Sequence, residues 1–176
     1  MIDHDEEIRI GFLAIQHDGG EYVGGLLTTN DYGLPLEFLS TKPVAPTRLQ
    51  RILYGAILEY YLTVELIGKT ILSSVNVPPS IFLVKEETLL DLRKGSSYPI
   101  AFIGPNLMSE DVVKIPDGPE GQSALDVKTC SSHPNDKLAV KKILEVCATK
   151  MSITEPFVRI EAAIKEARKS GMDSKR

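Results

Sequence analysis

The stretch over residues 22–61, YVGGLLTTNDYGLPLEFLSTKPVAPTRLQRILYGAILEYY, constrains the fold more than any other. A glycine pair, Gly24 and Gly25, sits inside an apolar run where a strand normally places side chains, which predicts a bulge or a close neighbour against the backbone. Asn30-Asp31-Tyr32-Gly33 supplies residues that tolerate positive φ, and LPLEFLST then resumes an alternating pattern. The preceding run, IRIGFLAIQ, is nearly all apolar and leads into HDGGE, the chemistry of a tight turn. Three strands therefore form an antiparallel meander, with Pro35 at an edge or a strand start.

Pro43 and Pro46 end the meander, and a helix opens at Pro46 or Thr47. Its series Leu49, Ile52, Leu53, Ala56 falls at helical spacing and predicts a face packed on the sheet. A second series, Leu58, Leu62, Leu66 and Thr70 with Ile67 and Ile71, carries the pattern toward Ser74. One bent helix or two short ones fit, with Gly55 as the weak point. IFLV then reads as a short buried strand, EETLLDLRK as a helical turn with Glu86 and Glu87 at its positive end, and residues 100–103 as a strand reached by a parallel crossover. Residues 104–121 read as a surface loop around VVKI, and 125–129 as a further strand. Asn135 caps a helix with the face Val140, Ile143, Leu144, Cys147. Ser152 or Thr154 caps a last one with the face Phe157, Ile160, Ala163, Ile164, Ala167.

The hydrophobic fraction of 43% and charged fraction of 25% are those of a soluble globular protein. A net charge of −4 and a pI near 5.4 give no global attraction to phosphate backbones, so nucleic acid is not expected as a partner. The acidic start MIDHDEEIRIG does not resemble a secretory signal, and no apolar run suits a membrane span. Two cysteines, read as reduced thiols, complete the expectation of a cytoplasmic protein.

Motifs for chemistry are sparse. Gly68-Lys69-Thr70 lacks the upstream glycine of a phosphate-binding loop. Cys130-x2-His133 has the spacing of half a zinc site and equally of a thiol with its base, but no convergent ligand set accompanies it, so neither metal nor cofactor is assigned. Arg48, Arg51, Tyr54, Glu59 and Tyr61 are left without a core role, and two arginines on one side of a helix suit a carboxylate or phosphate. Glu37 and Glu59 are candidates for an acid–base pair. These six residues form the candidate ligand or partner site, and no catalytic residue is assigned.

The run GG-L-TN-x-x-G-x-PLEF followed by P-x-R-x-Q-x-ILYG resembles that of a group of uncharacterised bacterial proteins over about residues 8–103. Locally, GGLLTTNDYGLPLEF is similar to the strand, turn and strand of roadblock or longin-type regulatory domains, which implies a small α/β interaction module.

The expected fold is α/β, of α+β type: a mainly antiparallel sheet started by a three-strand meander, with helices packed mostly on one face, in one domain over 1–170 and a polar tail over 171–176. The expected function is a non-catalytic regulatory or assembly module working through a protein partner or self-association. The alternative is an enzyme or binding domain for a phosphorylated or nucleotide-like, small anionic ligand, with Arg48 and Arg51 as anchors.

Overall fold

The structure, a computed structural model, describes residues 7–121 and 123–173. Strands β1 (Arg9–Asp18) and β2 (Glu21–Asn30) pair antiparallel over their whole length. They are joined through Gly19 and Gly20 at φ +58° and +80°, a two-residue turn that favours glycine. The Asn30 side chain accepts the N–H groups of Tyr32 and Leu34, both at 3.0 Å, and so closes the next turn. β3 (Pro35–Ser40) then returns along β2 as the sheet edge, with Pro35 at its first position.

β4 (Ile81–Val84) and β5 (Ile100–Gly104) extend the sheet on the other side of β1 and run parallel to it. β7 (Ala124–Thr129) and β6 (Val112–Pro116) follow antiparallel, giving the order β3-β2-β1-β4-β5-β7-β6. The sheet is therefore mixed rather than mainly antiparallel. Its two central pairings are parallel because the helical stretch over residues 48–73 returns the chain before β4, and the 3-10 segment Glu87–Gly95 returns it again before β5. VVKI, read as part of a loop, is the edge strand β6.

Helices cover both faces, not mostly one. α4 (Pro134–Ala148) and α5 (Glu155–Asp173) pack over Ile10, Phe12, Leu83 and Val127, and Phe12 meets Phe157 edge-on at 5.4 Å. Leu13, Leu26, Phe82 and Ile100 face the opposite way, under residues 58–73 and the 3-10 segment. This explains why IRIGFLAIQ and IFLV are apolar at nearly every position: a strand buried on both faces has no solvent side to alternate toward. It also explains the glycine pair. A Cβ on Gly24 would stand 2.6 Å from Ile71 Cδ1, and one on Gly25 2.7 Å from Ile160 Cγ2, so a helix side chain closes on the backbone from each face.

α4 begins at Pro134 with His133 as its cap, ahead of the expected Asn135, and His133 makes no side-chain capping bond. The turn before α5 is organised by Asp117, which accepts the N–H groups of Ile153 (2.8 Å) and Thr154 (3.2 Å) and the hydroxyls of Ser152 (2.9 Å) and Thr154 (2.6 Å). α5 continues to Asp173, through residues assigned to a polar tail. Residues 174–176 lie outside the described residues, as does His4. No described helix is long and apolar enough to cross a membrane.

Candidate functional site

α1 (Arg48–Tyr54) is started by a capping box: Thr47 Oγ1 accepts the Gln50 N–H at 3.2 Å, and Gln50 Oε1 accepts the Thr47 N–H at 2.8 Å. It stops at Gly55, held at φ +51°. None of its residues is buried, and Leu49, Ile52, Leu53 and Ile57 are 64%, 68%, 71% and 63% exposed. The expected packing of this face on the sheet is thus wrong. The seat is taken instead by the helical chain beyond Gly55: α2 (Leu58–Tyr60), the π-helix Tyr61–Gly68 and α3 (Lys69–Ser73), which bury Leu62, Val64, Ile67 and Ile71. Periodicity identifies residues that share a face; it does not say which stretch reaches the core.

α1 lies beside the β1–β2 turn, with Arg51 Nη2 3.6 Å from where a Cβ on Gly20 would stand. Arg48 and Arg51 are exposed and make no ion pair among the described residues. Tyr54 and Tyr61 meet with ring centres 4.5 Å apart and planes tilted by 35°, and the hydrogen bond to Tyr61 raises the Tyr54 phenol above its usual range. Five of the six expected site residues, Arg48, Arg51, Tyr54, Glu59 and Tyr61, therefore follow one another along α1 and the helical chain that continues it.

Glu37 has another task. On β3 it accepts the N–H groups of Asn76 and Val77, both at 3.1 Å, and the Asn76 side-chain amide at 2.8 Å. Burial pushes its carboxyl up, but the bonds from Val77 and Asn76 prevail and hold it below its ordinary value. It fastens the loop that leads into β4.

The charged neighbour of Glu59 is instead Glu86, read from the sequence as the positive end of a helical turn. Glu86 follows β4 by two residues with extended backbone, φ −122° and ψ 129°, so strand alternation sets it on the face of Val84, beneath the helical chain. Burial raises its carboxyl, the charge of Glu59 raises it further, and together they bring it to about 7. A carboxyl poised there can accept or donate a proton at neutral pH. The sequence signal was an acid placed two residues after a fully buried strand. Ligands of open α/β sheets bind at that end of the strands.

No family model matches the chain, and no curated protein does. Solved structures of endonuclease V do. That of Ciona intestinalis, in complex with a 24mer DNA containing an inosine followed by a ribo-adenosine, is 14% identical, with a TM-score of 0.58 over 97% of this chain and 88% of that one. The enzyme from Streptomyces avermitilis is 11% identical, with a TM-score of 0.56 over 93% of this chain and 82% of that one. The human enzyme is 14% identical, with a TM-score of 0.51 over 94% and 86%. At these identities the likeness is one of fold: the chain has the endonuclease V architecture.

That architecture replaces the expected kinship with an uncharacterised family and with roadblock or longin-type domains, which rested on a local strand-turn-strand. It also overturns the expectation of a non-catalytic regulatory protein acting through protein contacts or self-association, with nucleic acid an unexpected partner, because the proteins that share the fold are nucleases, one of them solved on DNA. Net charge does not describe a local surface, so the acidic pI does not decide the question. Nucleases often hold metal between convergent carboxylates. Among the described residues no three His, Cys, Asp or Glu side chains are grouped to hold a metal ion, and β1 is apolar through Ile15 where it runs beside β4. These residues do not fit such a centre.

Proposed function

We propose that this chain binds a nucleic-acid strand across α1 and the carboxyl ends of β1 and β4, and hydrolyses a phosphodiester bond there with Glu86 as the proton-transferring group. The observation that carries this reading is the pairing of Glu86 with Glu59 at the edge where α1 presents two unpaired arginines. Arg48 and Arg51 suit phosphate oxygens, and the exposed Leu49, Ile52 and Leu53 suit the faces of unstacked bases. Tyr54 and Tyr61 flank the same path. In the step itself Glu86, made more basic by burial and by the charge of Glu59, takes a proton from the attacking water as its oxygen bonds to phosphorus; the P–O bond to the leaving oxygen breaks, and that oxygen takes the proton from Glu86. A cytoplasmic location accords with two free cysteines.

Fluorescence anisotropy with a labelled single-stranded oligonucleotide tests the interface. Wild type should bind with a strong salt dependence, and the R48Q/R51Q double variant should flatten the log Kd against log salt slope by about 1.4. An unchanged slope would remove the arginines from the interface.

A further inference from the structure

The loop between β7 and α4 assembles a group of side chains that the strand site does not use. Half-buried Cys130 leaves the end of β7 with Sγ 3.1 Å from Ser132 Oγ, and that oxygen is 2.9 Å from His133 Nδ1. The His133 N–H donates to the Cys130 carbonyl at 3.0 Å, so one turn holds thiol, hydroxyl and imidazole in a row. The thiol–imidazole pair suggested by spacing is thus completed by an intervening hydroxyl.

A separate element supplies positive charge. Arg93 and Lys94, at the end of the 3-10 segment, lie in the neighbourhood of Cys130, each already paired with a carboxylate. Arg93 is fixed by a two-pronged ion pair to buried Asp136 of α4, at 2.6 and 3.2 Å, and Lys94 pairs with Asp91 at 2.7 Å. The other cysteine, Cys147, is fully buried in the α4 core, where burial pushes its thiol up to about 12, and it provides an internal control.

We propose that Cys130 is a nucleophilic thiol that exchanges with small-molecule disulfides, with Ser132 and His133 carrying the proton. Cys130 gives its proton to the Ser132 hydroxyl as that hydroxyl passes its own to His133 Nδ1. The sulfur attacks one sulfur of the disulfide; a new S–S bond forms, the old one breaks, and the leaving thiolate takes the proton from His133. One disulfide replaces another, so no further oxidant is needed. The product is the protein in mixed disulfide at Cys130.

The folded protein is incubated with oxidised glutathione, which is anionic, or cystamine, which is cationic, and adducts are followed by intact mass and peptide mapping. One adduct is expected, at Cys130, with Cys147 spared and C130S unmodified. S132A and H133N should each slow the reaction with either reagent by about tenfold or more while leaving the urea-unfolded-chain rate unchanged. Equal rates in S132A, H133N and wild type, or an adduct on Cys147, would each overturn the proposal.

Discussion

Glu86 faces Glu59 at the carboxyl end of β4, and burial together with that neighbour's charge brings its carboxyl to titrate at about 7 rather than at the ordinary 4.5. The folded state therefore holds a proton that the unfolded chain has lost between those two values. Stability falls as pH rises through that window, by about 1–2 kcal/mol once solvent screening of the partly exposed carboxyl is allowed for. Glu86→Gln carries no charge to bury. Thermal melts should show it matching wild type at acid pH and exceeding it above neutrality; a melting difference that does not vary with pH would mean that Glu86 ionises freely.

Asp117 has the opposite dependence. Burial pushes its carboxyl up, but bonds from the Thr154 and Ser152 hydroxyls and the Thr154 and Ile153 amides prevail and hold it below its ordinary value. Its contribution is present above the unfolded value and is lost as pH falls through the folded one. Asp117→Ala leaves two amides at the start of α5 without this acceptor and should cost about 1–3 kcal/mol in urea denaturation near neutral pH, with a smaller difference in acid.

Gly24 and Gly25 should not tolerate a methyl group. Gly24→Ala meets Ile67 and Ile71, and Gly25→Ala meets Ile160 and Ile164, so each should lose about 1–3 kcal/mol by denaturant titration. Ile67→Ala should cost less in the Gly24→Ala background than in wild type, because the added methyl then has room. Additive losses would show that these side chains do not set the limit.

The α1 leucines should act on binding and not on stability. Leu53 is 71% exposed, so Leu53→Gln should change stability by less than about 0.5 kcal/mol. The same change should weaken binding of a single-stranded oligonucleotide several-fold, with an unaltered salt slope because no cation is removed. A large loss of stability would show that this face is covered in solution.

Much of the fold was legible because local chemistry fixed it. The Gly19-Gly20 turn, the Asn30 turn, Pro35 at the start of an edge strand, and the strand, 3-10 segment and strand from Ile81 to Gly104 all follow from residues acting on their own backbone. The two-sided covering of the sheet was also written in the unbroken apolar runs IRIGFLAIQ and IFLV, although alternation in LPLEFLST drew attention to a one-sided sheet. What could not be read was which of two equally periodic stretches sits on the core. Leu49, Ile52 and Leu53 match the helical repeat as well as Leu62, Ile67 and Ile71 do, and the break at Gly55 decides between them. Of the proposed site, Arg48, Arg51 and Glu59 stand out in the sequence as residues without a core role, but Glu86 is 27 positions from Glu59 and comes near it only through the fold. The fold kinship lies in strand order, which no short motif in the chain carries.

The decisive measurement is cleavage of an end-labelled, inosine-containing DNA strand by wild-type protein and by Glu86→Gln, followed on a denaturing gel beside a binding assay of both. Wild type should release a discrete product, and Glu86→Gln should bind the strand equally well while cleaving at least about a hundredfold more slowly. Equal cleavage by the two proteins, or a wild type that neither binds nor cleaves single-stranded or duplex DNA or RNA, would contradict the assignment of this edge as a nucleic-acid site.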